Sequence, residues 1–312
     1  MEYKKLISII SPCFNEEDNL EELYARVIKC IDLYPEYDFE YLLIDNASTD
    51  RTVEILRRFS NKDPRVKVII NTRNFGHIRS PYWGIINTKG AATIYLASDL
   101  QDPPELISEF IEQWRKGYKI VLAVKPVTSA NQIMHFLRKM YYKFLDSISE
   151  VAIVKDATGF GLYDKEVLDY IRVINDPYPF LRGLICELGY EIKCIPFNQP
   201  RRLRGISKNN FYSLFDIAML GIVSHSMVPI RVASILGFVL SFLSLVLAIG
   251  LTVIKILYWN LMPNGYAPMG ISLLLILGTL LFFIGIIGEY VHATYMHVRR
   301  RPIVVEKERI NF

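Results

Sequence analysis

Two long uncharged stretches near the carboxyl end constrain this chain more than any other feature of its sequence. Residues 232–254 read VASILGFVLSFLSLVLAIGLTVI, and residues 256–288 again contain no charged side chain. A helix rises about 1.5 Å per residue, so the first stretch reaches about 34 Å, enough to cross the hydrocarbon core of a bilayer. The alternative is a pair of buried helices in a soluble domain. The sequence favours two membrane spans, 232–254 and 269–291, joined by the short loop 255–268.

Basic residues flank both spans and predict their orientation. Arg231 precedes the first span, and the sequence HVRRR follows the second. The positive-inside rule therefore places both flanks in the cytoplasm and the loop outside. No signal peptide opens the chain, so we expect a multi-pass protein of the cytoplasmic (inner) membrane with both termini inside. Its cytoplasmic parts are then a domain over 1–210, an interfacial amphipathic region over 211–231 and a basic tail over 292–312.

Charge and cysteine spacing exclude two other classes of protein. The formal net charge of +4 is mild and gives no reason to expect a nucleic-acid partner. The four cysteines show no C-x-x-C spacing, which argues against zinc and fits reduced thiols.

The amino-terminal part alternates apolar strand patterns with helical ones. The segments LISIISPCF, FEYLLID, VKVIINT, ATIYLAS and YKIVLAV are typical of strands, and helix patterns lie between the first four of them. Such alternation predicts an α/β domain with a mainly parallel sheet. The clusters NEE, DNASTD, TRNFGH and SDLQD each follow a strand, and ligands of such sheets bind beyond the carboxyl ends of strands. We interpret KDATGFGLYDKEVLDYI as a glycine-rich loop that leads into a helix.

The stretch YLASDLQDPPEL carries a strand to two carboxylates, Asp99 and Asp102, with Gln101 between them. One interpretation is a polar turn, since Asp and Pro favour turns. The other is a site for a hard divalent cation, because Mg²⁺ binds through one or two carboxylates plus substrate phosphates. For Asp102 the favoured role is to cap a helix that starts at Pro103.

The order and spacing of these motifs carry a family resemblance over nearly the whole chain. From SPCFNEEDNL through LLIDNASTDRT, TRNFGH and SDLQDPPEL to IGEYV after the second span, the chain resembles inverting family 2 glycosyltransferases. Within them it is similar to the membrane-anchored polyprenyl-phosphate glycosyltransferases, which include dolichol-phosphate mannose synthases and bactoprenol glucosyltransferases. The resemblance implies a GT-A fold, a Rossmann-like nucleotide-sugar domain. It also implies transfer of a sugar from a nucleotide sugar, with a UDP-linked donor favoured, to a polyprenyl phosphate such as undecaprenyl phosphate.

The same resemblance implies roles for individual residues. Asp45 matches the aspartate that meets the nucleotide base, and Asp99 with Gln101 matches the site of Mg²⁺ or Mn²⁺. The residues expected to bind the donor are Pro12, Phe14, Glu16, Asp45, Asn46, Asn74 and Asp99. Those expected to bind the acceptor phosphate are Lys125, Arg138, Arg202, Ser207 and Lys208. The expected catalytic set is Asp99, Lys125, Arg138 and Arg202.

Three segments depart from the family pattern. Ala97 replaces the first aspartate of the D-x-D metal motif, and Ala47 stands in a segment where many relatives read D-D-G-S. Gly159 and Gly161 stand where many relatives carry the aspartate and arginine of G-D-F-R-L. A lipid phosphate is already anionic and needs no general base, whereas a sugar hydroxyl would need one. These losses therefore favour a phosphate acceptor.

Other functions stay open at the level of sequence. A direct or processive polysaccharide synthase is one, although its Q-x-x-R-W motif has QPRRL as the nearest match here, with Leu203 in place of tryptophan. A non-catalytic scaffold that binds nucleotide sugar is another, motivated by the substituted motif positions. The basic cluster 201–208 is also consistent with a patch that contacts anionic lipids. The small membrane anchor favours self-association into a homo-oligomer.

Overall fold

The structure is a computed structural model. The residues that it describes are 4–125, 154, 157–174, 176, 179–198, 266–298, 301–312 and single positions between 228 and 257.

The described residues alternate strands and helices in the predicted order. The elements are β1 (Leu6–Cys13), α1 (Leu20–Ile31), β2 (Asp38–Asp45), α2 (Thr52–Lys62), β3 (Val66–Asn71), α3 (Gly76–Ile86), β4 (Ala92–Tyr95), α4 (Leu106–Arg115), β5 (Ile120–Val124), β6 (Ala157–Asp164), α5 (Lys165–Ile174), α6 (Leu181–Glu187), β7 (Ile192–Pro196), α7 (Tyr266–Val298) and β8 (Glu306–Ile310).

One mixed sheet joins all eight described strands in the order β7-β5-β6-β4-β1-β2-β3-β8. The three central pairings, which join β4, β1, β2 and β3, are parallel, as is the pairing of β5 with β7. The antiparallel strands are β6, between β4 and β5, and β8, on the edge of β3. The prediction of a mainly parallel α/β sheet is therefore confirmed.

Helices cover both faces of this sheet because its central strands are apolar on both sides. On one face α1, α2 and α4 contribute Leu23, Leu56 and Phe110 to a buried core. On the other face α3, α5 and α6 contribute a second core that includes Tyr82 and Leu168. These side chains recur at three- and four-residue steps, the pattern of an amphipathic helix.

The interpretation of TGFGL as a loop is wrong, because residues 157–164 form the buried strand β6. A Cβ added at Gly161 would lie 2.2 Å from the carbonyl oxygen of Val121. Only glycine fits between β4 and β5 at this point, so a residue that indicates a loop in the sequence here marks a close approach of two backbones.

The carboxyl end of the chain returns to the sheet as β8, which the sequence analysis did not predict within the tail 292–312. Ile303 and Val304 are buried in the second core, next to α3. The indole Nε1 of Trp83 donates to Glu306, and Arg57 binds Glu308 through both guanidinium nitrogens. Residues 301–312 are therefore an integral part of the α/β domain.

In the part of the chain that the structure describes, one helix is long and apolar enough to cross a membrane. It is α7, 33 residues long, whose candidate span is Ile276–Tyr295 with none of it buried in the protein. This helix contains the predicted span 269–291. Most of the region 211–231, most of the loop 255–268 and most of the span 232–254 lie outside the described residues, so two spans remain a prediction.

Candidate active site

Polar side chains collect at the carboxyl ends of the central strands, as the sequence predicts. Asp45 ends β2, directly opposite Cys13 at the end of β1. Asp99 follows β4, which pairs with the other side of β1. The two carboxylates thus flank the end of β1, where the chain passes through Pro12 and Phe14.

The loops after β1 and β2 are held together by hydrogen bonds between them. Asn15 N donates to Ser48 Oγ (2.9 Å), and Thr49 N donates to Asn15 Oδ1 (2.8 Å). Glu16 N donates to Thr52 Oγ1 (2.9 Å). Asn15 adopts a left-handed conformation with φ 54°, and this is a region that asparagine tolerates. Two loops that interlock in this way give a bound ligand a pre-formed surface.

Asp45 is fully buried at this junction. Its Oδ2 accepts a hydrogen bond from Ser48 N (3.1 Å), whereas its Oδ1 has no partner among the described residues. Burial raises the pKa of the Asp45 carboxyl above its ordinary value. A buried carboxylate oxygen without a partner is an acceptor for a ligand N–H.

Asn46 connects the same edge to the loop that precedes α3. Its Nδ2 donates to Asn74 Oδ1 (2.9 Å) and to the carbonyl of Gly76 (3.2 Å), and its Oδ1 accepts from Phe75 N (2.8 Å). Glu16 accepts from Asn19 Nδ2 (2.6 Å). Asn46, Asn74 and Glu16 therefore act within the protein to hold the loops of the site in place.

Asp99 and Asp102 have different environments. Oδ1 of Asp99 accepts from Gln101 N (3.2 Å), and Asp99 remains partly exposed at the strand end. Asp102 is buried, and its Oδ2 accepts from Ala97 N (3.2 Å). Burial raises the pKa of Asp102 to about 6.

The prediction that Asp102 caps the next helix is wrong. Helix α4 begins at Leu106 and has no side-chain cap. The backbone N–H of Ala97 attracts the Asp102 carboxylate instead, so Asp102 closes the loop that presents Asp99.

The structure places one of the predicted acceptor cations close to these carboxylates. Lys125 directly follows β5, and its charge acts to lower the pKa of Asp102. The other predicted acceptor residues lie outside the described residues; they are Arg138, Arg202, Ser207 and Lys208.

Among the described residues, no group of three or more His, Cys, Asp or Glu side chains could hold a metal ion by itself. The donor set at the end of β4 is one partly exposed carboxylate, Asp99, beside the amide of Gln101. Such a set fits Mg²⁺ or Mn²⁺ when substrate phosphates supply further oxygen ligands.

Residues 8–171 match the family model described as Glycosyl transferase family 2. The matched region contains both carboxylates and every loop that surrounds them. The chain belongs to glycosyl transferase family 2.

Curated members of the family resemble the chain over nearly its full length. It is 33% identical to an uncharacterized glycosyltransferase of Synechocystis, with 95% of this chain and 93% of that protein covered. It is 31% identical to a bactoprenol glucosyl transferase of Shigella phage SfX, with 97% and 99% covered. Among solved structures, the mannosyltransferase PcManGT from Pyrobaculum calidifontis is 17% identical with a TM-score of 0.48, and the match covers 71% of this chain and 63% of that one.

Next to the family's strand-end loops lies a cavity of about 140 Å³ that the sequence analysis did not predict. Its walls include Tyr95 at the end of β4, His77 and Tyr82 on α3, and Arg182 on α6. Sequence reasoning missed Arg182 because α6 approaches the site only through the folding of the chain. The segment PFLRG carries no local signal for such a position.

Proposed function

We propose that this glycosyl transferase family 2 protein transfers a sugar from a nucleotide sugar to a polyprenyl phosphate at the cytoplasmic face of a membrane. One observation carries the proposal: a buried, unpartnered Asp45 oxygen and a partly exposed Asp99 flank the end of β1. A nucleoside diphosphate needs both kinds of contact, an acceptor for its base and an anchor for its phosphates.

The donor base is recognised at Asp45. Uracil carries an N–H donor at its ring edge, and the unpartnered Oδ1 supplies the acceptor that it needs. A hydrogen bond to an ionised partner contributes about 1.5–3 kcal/mol. This supports a UDP-linked donor, and the names of the bactoprenol glucosyl relatives make UDP-glucose the first sugar to test.

The diphosphate is held next to Asp99, with Gln101 as the second ligand of a divalent cation. When bound, Mg²⁺ or Mn²⁺ neutralises the charge that develops on the departing diphosphate. Asp99 presents its carboxylate from a loop that the Asp102–Ala97 hydrogen bond closes. The site therefore needs no first aspartate at Ala97 to fix this loop.

The acceptor is an anionic lipid phosphate, bound by Lys125 together with Arg138, Arg202, Ser207 and Lys208. An oxygen of that phosphate attacks C1 of the sugar, the bond from C1 to the nucleoside diphosphate breaks, and the diphosphate leaves with the electron pair. The phosphate is already ionised, so no general base is required. This accords with Gly159, which brings no carboxylate to the site.

The membrane supplies the acceptor and fixes where the reaction occurs. Helix α7 leads directly into the sheet through Ile303 and Val304, so the site lies close to the bilayer surface from which a lipid phosphate projects. We propose a multi-pass protein of the cytoplasmic membrane that associates with itself in the bilayer.

Transfer of radiolabel from a panel of nucleotide sugars to undecaprenyl phosphate in detergent tests the proposal. We expect a labelled lipid that is lost with EDTA and with Asp99→Ala. Asp38→Ala, an exposed aspartate at the opposite end of β2, is the matched control and should keep full activity. A long polysaccharide product would instead indicate a polymerising enzyme. Metal-dependent donor binding without any product would indicate a non-catalytic scaffold.

A further inference from the structure

Among the described residues that line it, the cavity beside the strand-end carboxylates has one arginine and no acidic side chain. Twelve residues line it: His77, Ile78, Pro81, Tyr82, Ile85, Tyr95, Thr158, Gly159, Pro179, Phe180, Leu181 and Arg182. Arg182 is the only Lys or Arg among these lining residues, and none of them is Asp or Glu. Among these lining residues, Arg182 is the side chain that carries a permanent positive charge.

Gly159 keeps this cavity open. The residue has φ 93°, and a Cβ added there would have Tyr95 Cε1, at 4.0 Å, as its nearest neighbour. Phe160 packs against Phe110 on the first face of the sheet, so Gly159 and Gly161 face the second, where α3 and α6 lie. The absence of a side chain at Gly159 leaves space in front of Arg182.

Arg182 is fixed at the wall of this space. Its Nη2 donates to the carbonyl oxygen of Thr158 (3.4 Å), a long contact that leaves the other guanidinium donors for a ligand. Among the described residues, no carboxylate forms an ion pair with Arg182. A partly buried guanidinium of this kind is suited to bidentate binding of phosphate.

Tyr95 places Arg182 next to the reaction centre. Burial raises the pKa of the Tyr95 hydroxyl, the carboxylates of Asp102 and Asp99 raise it further, and the charge of Arg182 acts in the opposite direction. The hydroxyl thus lies within electrostatic reach of both the metal-binding loop and Arg182.

The backbone of this chain at position 161 has no room for the arginine that many relatives carry there. A Cβ at Gly161 would overlap the carbonyl oxygen of Val121, 2.2 Å away. Arg182 supplies a cation from α6 on the same face of the sheet.

We propose that Arg182 binds a substrate phosphate in this cavity. The inference deepens the proposed function and rests on it. Two substrate phosphates could bind an arginine in this way, the monophosphate of the lipid acceptor and the diphosphate of the donor. Binding measurements distinguish between them.

Equilibrium binding without turnover tests the proposal independently of sugar transfer. The full chain in detergent is titrated with undecaprenyl phosphate, with undecaprenol and with UDP, using wild type, Arg182→Gln and Arg182→Lys. Loss of a charged hydrogen bond of about 1.5–3 kcal/mol predicts about a tenfold to hundredfold weaker affinity for the phosphate ligand in Arg182→Gln. Arg182→Lys should recover part of it, because a point charge is retained.

The two sources of phosphate give different results. Weaker undecaprenyl phosphate binding with unchanged undecaprenol and UDP binding assigns Arg182 to the acceptor. Weaker UDP binding alone assigns the same contact to the donor diphosphate. Gly159→Asp brings a carboxylate next to Arg182. It should therefore lower the affinity for the same ligand whose affinity Arg182→Gln lowers.

Arg115→Gln is the matched control, since Arg115 forms only exposed ion pairs on α4 among the described residues. Unfolding midpoints of all variants show whether each is folded. Phosphate affinities in folded Arg182→Gln that equal those of wild type would overturn the proposal. If the wild-type protein transfers no sugar, that result counts against the proposed reaction. The binding measurements test Arg182 in either case.

Discussion

Asp45 shows how one residue combines structural and binding roles. Oδ2 accepts from the Ser48 backbone and helps to close the loop after β2, while Oδ1 stays buried without a partner among the described residues. An unpaired buried acceptor destabilises a protein by about 1–3 kcal/mol. Ligand binding removes this penalty, so the residue favours the bound state of the site.

Asp45→Asn separates the two roles. We expect about a tenfold or larger loss of UDP affinity, since a charged hydrogen bond of about 1.5–3 kcal/mol becomes a neutral one. Folding raises the pKa of Asp45, so its ionisation destabilises the folded state as pH rises through that pKa. The asparagine variant escapes this penalty, and its free energy of unfolding should match or exceed that of wild type at neutral pH.

UDP titration and denaturation of Asp45→Asn check both expectations, with Asp38→Asn as the control. The stability advantage of the variant should grow as pH rises above about 4, because an unfolded aspartate ionises there whereas folded Asp45 retains its proton to higher pH. Unchanged UDP affinity would remove Asp45 from the donor site.

The two glycines of β6 are required for different reasons, a close backbone contact at Gly161 and a positive φ at Gly159. Gly161→Ala places a methyl group 2.2 Å from the Val121 carbonyl oxygen, and this backbone oxygen cannot move without breaking the sheet. Gly159→Ala has open space and meets only the strain of φ 93°, about 1–2 kcal/mol. We therefore expect Gly161→Ala to destabilise the domain by more than Gly159→Ala. Unfolding monitored by tryptophan fluorescence checks the order, and the reverse order would contradict the strand packing.

At the scale of elements, β8 stabilises the domain by covering the edge of β3. It pairs with β3 from Val68 to Asn71, and the carbonyl oxygen of Val305 accepts from both the backbone N and the Oγ1 of Thr72. An uncovered edge strand is a template for unwanted pairing with other chains. The returning tail therefore protects the edge of the sheet.

Ile303→Ala tests how strongly the tail contributes to stability. Ile303 is buried against the core that contains α3, and truncation of a buried isoleucine costs about 2–5 kcal/mol. Val305→Ala is the matched control, because Val305 is 46% exposed and its backbone contacts do not change; its effect should stay within about 0.5 kcal/mol. Denaturation curves give the free energy of unfolding of both variants. Equal changes in Ile303→Ala and Val305→Ala would show that the tail is not part of the folding unit.

Glu40 joins three elements at the end of the sheet opposite the active site. It accepts hydrogen bonds from Ser8 Oγ on β1, from Lys67 Nζ on β3 and from Lys89 N. Burial acts to raise its pKa, but these hydrogen bonds and the Lys67 charge together hold the pKa of Glu40 below its ordinary value. The ionised carboxylate therefore stabilises the folded state.

Glu40→Gln should lower the free energy of unfolding by about 1–3 kcal/mol at neutral pH, the range for a buried partner left unpaired. A lowered carboxyl pKa contributes stability above the unfolded pKa and loses it as pH falls through the folded one. The difference from wild type should therefore shrink below about pH 4. Denaturation across pH checks this, with Glu36→Gln on the exposed surface as a control whose small effect does not follow the same profile.

The parallel core was predictable because each strand is a short apolar run followed by a polar cluster. Asp45 and Asp99 were predictable for the same reason, since the carboxyl ends of parallel strands share one edge. Strand β6 was not predictable, because Gly161 reflects a close approach to Val121 in the folded sheet and Gly159 a positive φ. Arg182 and β8 were not predictable either, since their positions depend on contacts between residues that are distant in sequence.

At the scale of the whole molecule, β8 constrains how the chain can cross a membrane. Residues 4–125 and 301–312 share one sheet and lie on the same side of the bilayer. Helix α7 has 33 residues and is about 50 Å long; in the proposed membrane arrangement it carries the chain from the far side back to that sheet. The chain must then cross once more between residue 198 and α7, and the stretch 232–254 is the segment long and apolar enough to do so.

Cysteine accessibility tests this topology in intact cells. In a Cys194→Ser background, which removes the exposed cysteine, we expect Asn264→Cys in the loop between the spans to react with a membrane-impermeant maleimide. Lys307→Cys on exposed β8 should react only after the membrane is permeabilised, because it shares the side of the catalytic domain. Labelling of both positions in intact cells, or of neither, would contradict the two-span arrangement. Labelling of Lys307→Cys alone would place the catalytic domain outside, away from the cytoplasmic nucleotide sugars that the proposed reaction needs.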